Sequence, residues 1–242
     1  MQKKVQLVLM GAALFSTATL AHIRPVATVS LGSDSATFSK TSTNISFLPP
    51  FYNTYTDTNS TDNEWLGGVT LGANIPINAV WSSQVGVSYY QNSGFQARGD
   101  VYQLVGSPFN NNVGYQYYVS SRRVLLESKL LYTCGNIFHP YIDAGVGEAF
   151  NESHDYSELV YDGTASPMGQ PFANHTNNNF TYIAGFGVDI DAGKRVRLGV
   201  GYRYVDLGNA SLGTSPLQAD TVTLQKNKLT SNEFLFQIST IC

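Results

Sequence analysis

The chain has 242 residues, of which only 13% are charged, with 15 Tyr, 13 Phe and a formal net charge of −3. That acidic balance excludes a phosphate-binding surface for nucleic acid, which needs a net basic face. Beyond the N-terminal segment no stretch approaches the run of about 18 apolar residues that a helical membrane span requires.

Residues 1–21 read as a secretory signal peptide, followed by one domain over residues 22–242. Lys3 and Lys4 form the basic region, Val5 to Phe15 the apolar region, and Ala21 is the small residue before cleavage, with Ala18 as the alternative. Removing them takes the basic side chains from 14 to 12 against 17 acidic ones. Two cysteines remain, Cys134 and Cys242, which permit one disulfide or two free thiols.

From there the pattern is one of period-two alternation broken by turns. Short breaks fall at Asn74–Asn78, Cys134–Phe138 and Ile190–Lys194; long polar ones at 33–63, 91–113, 151–178 and 207–229. Long and short breaks in strict alternation need eight antiparallel strands, with every long loop at one end. A barrel threaded through an outer membrane has a reason to sort its loops this way.

In chain order, Ala27, Val29 and Leu31 mark a short first strand, and Trp65, Val69, Leu71 and Ile75 alternate with Gly68, Thr70, Gly72 and Asn74 in the second. Trp81, Val85, Val87 and Tyr89 face away from Gln84, Gly86 and Ser88 in the third. The fourth sets Tyr118, Val124, Leu126, Leu130 and Tyr132 against Arg123, Glu127 and Lys129. Ile142, Ala144 and Val146 give a short fifth strand. The sixth has Phe180, Tyr182, Phe186 and Val188 opposite Gly185, Gly187 and Asp189. Leu198, Val200, Tyr202 and Tyr204 oppose Arg197, Gly199, Gly201 and Arg203 in the seventh, and Phe234, Phe236 and Ile238 oppose Glu233 and Gln237 in the eighth.

Two features turn the apolar face outward, toward lipid. The polar face is rich in Gly, which suits the crowded interior of a small barrel and weakens an ordinary solvent-facing strand. The aromatics also gather near strand ends, as membrane interfaces select. The charged face is then the lumen, and its ions need partners. Reflecting the hairpins about their turns pairs Lys129 with Asp143 and Asp189 with Arg197. Arg203 and Glu233 lie level on adjacent strands, and Arg123 with Glu127 supplies a fourth pair of opposite sign. The expectation is a plug of salt bridges, not an open pore.

Three segments carry a family resemblance. Pro140-Tyr141-Ile142-Asp143-Ala144-Gly145-Val146-Gly147 resembles a strand of the opacity-type and OmpA-like outer-membrane barrels. Gly199-Val200-Gly201-Tyr202-Arg203-Tyr204-Val205-Asp206-Leu207-Gly208 is similar to the seventh strand of the same group. The closing run Asn232 to Cys242 resembles the signal read by the barrel-assembly machinery, with Phe234, Phe236 and Ile238 as its apolar positions. Cys242 stands where that signal usually carries Phe. The resemblance implies an eight-stranded transmembrane β-barrel in a Gram-negative outer membrane, in contact with its lipid; it does not imply a function, because such barrels host many.

Chemistry is sparse in the pattern. No His-x-Ser pair of the deacylase kind occurs. Glu152, His154, Asp155 and His175 are irregularly spaced in the third long loop and read as surface residues rather than a metal or acid–base site. Gly185-Phe-Gly187 and Gly199-Val-Gly201 sit inside strands, with no helix to hold a phosphate. No catalytic residue, metal or cofactor is expected. The Tyr-, Asn- and Ser-rich loops, such as Phe51-Tyr52-Asn53-Thr54-Tyr55 and Tyr115-Gln116-Tyr117-Tyr118, have the composition of adaptable recognition surfaces. A surface antigen or adhesin-like protein meeting host or envelope ligands is the expected role; a lipid-active barrel enzyme, a narrow pore and a soluble barrel are the alternatives.

Overall fold

In the computed structural model, which describes residues 23–48, 51–58, 61–103, 113–135, 137–161, 172–216 and 221–242, every long element is a β-strand. The expected signal segment lies outside these residues. Eleven strands form one antiparallel sheet: β1 (Arg24–Phe38), β2 (Ser42–Leu48), β3 (Phe51–Asp57), β4 (Thr61–Pro76), β5 (Trp81–Asn92), β6 (Phe95–Tyr102), β7 (Val113–Tyr132), β8 (Phe138–Val160), β9 (His175–Asp191), β10 (Val196–Ser211) and β11 (Gln225–Ile241). Eight of them close a ring in the order β1-β4-β5-β7-β8-β9-β10-β11, with β11 returning to β1 from Val26↔Ile241 to Phe38↔Leu229. The closed ring leaves no sheet edge within the wall, the condition for crossing lipid with strands.

The apolar stripe of each ring strand points outward. Trp65, Leu71, Val87, Leu126, Ile142, Phe180, Phe186, Leu198 and Phe236 are all exposed large side chains. At the end of the ring with short turns, the Trp81 and Tyr132 rings meet at 5.0 Å, one segment of an interfacial aromatic girdle. Inside, small residues make room. A Cβ on Gly185 would stand 2.5 Å from both the Arg203 side chain and the Asp143 carboxylate, so only glycine lets these groups approach the wall.

The strands run far past the membrane. A spanning strand needs about 9–11 residues, whereas β7 has 20 and β8 has 23. Much of what the sequence presents as long polar breaks at 33–63, 91–113, 151–178 and 207–229 is therefore sheet. β5 stops at Asn92, and Gly94, at φ 114°, lets the chain resume as β6 on the same edge of β7. The other edge of β6 meets β3, which pairs with β2 as a hairpin. On the far side the Leu212 N–H donates to Leu224 O at 3.0 Å, and the Ser39 N–H to Lys228 O at 3.0 Å.

This projecting part has the polarity of a soluble protein. Phe38, Ile45, Tyr55, Phe95, Val101, Val113, Tyr115, Tyr117, Val119, Leu207, Leu212 and Leu224 are buried together inside it. The rings of Tyr55 and Tyr115 pack edge-on at 5.7 Å, and Phe172 meets Tyr55 at 5.6 Å and Tyr156 at 4.9 Å. Such contacts cover the mouth of the barrel with an aromatic cap. Of the tyrosines expected to form a recognition surface, Tyr55, Tyr115 and Tyr117 are buried in this cap; Tyr52 and Tyr118 remain half-buried on its outside. The alternation simply continues past the membrane, and the inward positions of the loops are aromatic where those of the wall are charged.

Candidate functional site: a charged lumen under an aromatic cap

The lumen is filled by side chains from all sides of the ring. At its centre Arg203 of β10 reaches Glu127 of β7 at 3.0 Å, Glu233 of β11 at 3.3 Å and Asp143 of β8 at 3.8 Å. Arg123 of β7 makes a short ion pair with Glu233, and both are fully buried. Tyr90 of β5 lies between the two guanidinium groups, whose carbons stand 5.0 Å (Arg123) and 4.4 Å (Arg203) from its ring centroid; its hydroxyl accepts from Arg203 at 3.0 Å. A phenol between two cations satisfies a donor and adds cation–π attraction to both.

Below this stack, Lys129 sits 3.3 Å from Asp189 and donates to Gln237 at 2.9 Å, with its ammonium 3.9 Å from the Tyr141 ring. At the short-turn end Arg197 binds Asp191 at 2.8 Å, and His139 binds the same carboxylate at 2.9 Å. On the upper side Asp34 accepts from Ser231 and, at 3.3 Å, from Asn92.

The eight charged residues singled out from the sequence all stand in this column, but several pairings differ. Lys129 and Asp143 are register partners across β7 and β8, as the hairpin reflection requires; the lysine nevertheless binds Asp189, two strands away. Arg197 binds Asp191 and not Asp189. Arg123 and Glu127 do not pair with each other; they reach Glu233 and Arg203. Reflection identifies neighbours in the wall, whereas long side chains in a narrow lumen meet across it.

Asp34, Tyr90 and Asp191 were not found by sequence reasoning. The signal was present for two of them. Asp34, just past the presumed boundary at Ser33, keeps the parity of Ser30 and Gly32, and Tyr90, the last residue before the break at 91, keeps that of Gly86 and Ser88, so the alternation places both inside.

A void among Thr28, Thr70, Gln84, Glu127, Lys129 and Gln237 is about 40 Å³, room for a water molecule or so and not for a solute. Arranged this way, the column joins β5, β7, β8, β9, β10 and β11 through side chains that meet across the lumen.

A second buried ion pair ties the cap together. Lys226 at the start of β11 binds Asp57 at the end of β3 at 2.5 Å, and Tyr115 donates to the same carboxylate. Burial holds the Lys226 ammonium below the ordinary lysine range, and Asp57 opposes that shift. Thr41 donates to Asp57 through its N–H and its hydroxyl, both at 2.8 Å.

Phe234, Phe236 and Ile238 project outward along β11, and the Cys242 N–H donates to Pro25 O at 3.0 Å. Cys134 and Cys242 are both exposed, free thiols. Of Glu152, His154, Asp155 and His175, His154 and Asp155 are in contact at 2.8 Å, whereas Glu152 binds Arg122 at 2.9 Å and His175 lies at the exposed start of β9.

The profile of the outer membrane protein beta-barrel domain matches residues 7–234. A search of curated proteins returned no match. Among solved structures, Neisserial surface protein A is 12% identical, covering 90% of this chain and 98% of its own, at a TM-score of 0.44. Ail, the attachment invasion locus protein of Yersinia pestis, is 11% identical over 90% and 98%, at 0.38. OprG of Pseudomonas aeruginosa is 13% identical over 91% and 97%, at 0.43. With eight strands in a closed ring, an outward apolar belt and a family profile spanning nearly its whole length, the chain belongs to the outer membrane protein β-barrel family and resides in the outer membrane of a Gram-negative bacterium.

Proposed function

We propose that this protein is a surface antigen or adhesin-like protein: the packed barrel is an anchor, and the cap above it is a rigid stand for contacts with host or envelope molecules. The observation that carries this reading is the cap itself. About half of β7 and β8 lies beyond the length that lipid requires, and that extra sheet has its own apolar core. A loop that only reconnects strands has no need of such a core. The role requires no catalytic group in the lumen, and the packed column also stiffens the envelope locally. Barrel insertion brings the chain into contact with outer-membrane lipid and with the assembly machinery that reads β11.

Replacing the β2–β3 hairpin (Ser42–Asp57) by a short turn is expected to abolish adhesion of expressing cells to host-cell monolayers and to one another. Heat-modifiable migration on gels shows whether the barrel itself is retained. Adhesion unchanged by this trimming, in a folded barrel, overturns the reading. A column this tightly filled is also expected to give no steady, nanosiemens-scale conductance in planar bilayers. Steady conductance of that size instead favours the narrow-pore alternative.

A further inference from the structure

One cluster of reactive side chains lies outside both the lumen and the cap interior. On β7, Val119 and Ser121 point inward and Ser120 outward. On β8, Asn151 and Ser153 point inward, so His154 points outward. In a regular strand Asp155 would then face the core. It does not, because β8 holds one extra residue between the pairs Tyr118↔His154 and Gln116↔Ser157. Asp155 occupies this bulge at φ 56°, the left-handed region that non-glycine residues rarely adopt. Tyr156 then takes the inward place, against Tyr115 and Phe172. Two residues adjacent in sequence thus share the outer face.

The consequence is a three-residue relay. Nε2 of His154 is 3.0 Å from Oγ of Ser120, and Nδ1 is 2.8 Å from Oδ2 of Asp155. The Tyr118 ring stacks on the imidazole, with centroids 6.1 Å apart and planes at 23°. Gly94 lies beside the hydroxyl: a Cβ there would stand 3.0 Å from Ser120 Oγ. Arg122, two residues along the same face, is held by Glu152, the cross-strand partner of Ser120. Nucleophile, base and orienting carboxylate in this geometry are the general signature of acyl transfer, and the left-handed backbone at Asp155 is what sets its carboxylate beside the imidazole.

We propose that Ser120, His154 and Asp155 form a serine-hydrolase triad on the outer wall, acting on carboxylic esters of outer-leaflet lipids. Ser120 and His154 stand on the outward face of the wall. The site sits four residues above Val124, the last lipid-facing valine of β7, which at about 3.3 Å per residue and a 45° tilt is roughly 10 Å above the hydrocarbon, at headgroup height. In the first step Ser120 Oγ attacks the ester carbonyl carbon as its proton passes to His154 Nε2. The acyl carbon–oxygen bond then breaks, and the alcohol leaves with that proton. Water, deprotonated by the same nitrogen, attacks the acyl-enzyme; the carboxylic acid departs and Ser120 is restored. Asp155 holds the imidazole in the tautomer that accepts from Ser120. This assignment departs from the expectation that the histidines of the segment are ordinary surface residues. The bulge, invisible in the alternation, is the reason.

The test uses the full-length barrel refolded in detergent and in phosphatidylethanolamine vesicles, with p-nitrophenyl butyrate as the soluble ester. The proposal expects a fluorophosphonate probe to label Ser120, p-nitrophenol release, and free fatty acid from the vesicles, each falling at least about 100-fold in Ser120→Ala and His154→Gln. Heat-modifiable migration verifies that the variants fold. Absence of labelling and turnover in a folded wild-type barrel overturns the triad. Turnover of the soluble ester with none of the lipid overturns the substrate assignment. Adhesion should be unchanged in Ser120→Ala, so loss of this activity and loss of the adhesive role are read separately.

Discussion

Replacing Arg203 by methionine is expected to lower the unfolding free energy of the barrel by about 3–5 kcal/mol, the usual cost of removing one partner from a buried ionic network. Arg203 serves Glu127, Glu233 and Asp143 at once and stacks on Tyr90. Methionine fills similar volume, so the loss reports uncompensated carboxylates and not a cavity. Urea titration in detergent micelles, followed by heat-modifiable migration, measures it. The companion Glu233→Gln should then cost less in the Arg203→Met background than alone, because one buried anion has already lost its cation. Strict additivity of the two changes would contradict the shared network.

The second large effect lies in the cap. Lys226→Met leaves the Asp57 carboxylate buried with Tyr115 and Thr41 as donors but without its cation. The expected loss is again about 3–5 kcal/mol, now confined to opening of the cap, since Lys226 and Asp57 join β11 to β3 above the membrane. Proteinase K added to intact cells should cleave the exposed segments about 100-fold faster or more, because cleavage follows the population of the open form. Barrel unfolding in urea should change little. Asp57→Asn in the same chain should recover much of the resistance, since the neutral amide needs no counter-ion. A cleavage rate equal to wild type in Lys226→Met would show that the pair contributes nothing to closure.

These effects separate what alternation can announce from what it cannot. Tyr118, Val124, Leu126 and Tyr132 against Arg123, Glu127 and Lys129 is legible because a strand places neighbours on opposite faces, whatever its partners. The same rule was stopped too early at Ser33, Gln91 and Asn151, where polar composition suggested loops. Continued, it reaches Asp34 and the inward Ser153, while Tyr90, Tyr115 and Tyr117 already stood outside the presumed breaks on the inward parity. The pairs in the lumen were legible as members and not as partners, since Lys129 meets Asp189 through space that no hairpin register describes.

The alternating pattern determined the ring and its two faces, and the glycines of the polar face with the aromatics at the strand ends determined which face meets lipid, because lipid on one side and a crowded lumen on the other act on every second residue. Only the tertiary structure decided that the loops close as an aromatic cap, that Lys226 locks to Asp57, and that one bulge in β8 carries Asp155 beside His154. Each of these depends on which strand edge or side chain a residue meets from far along the chain, and a local period holds no record of that.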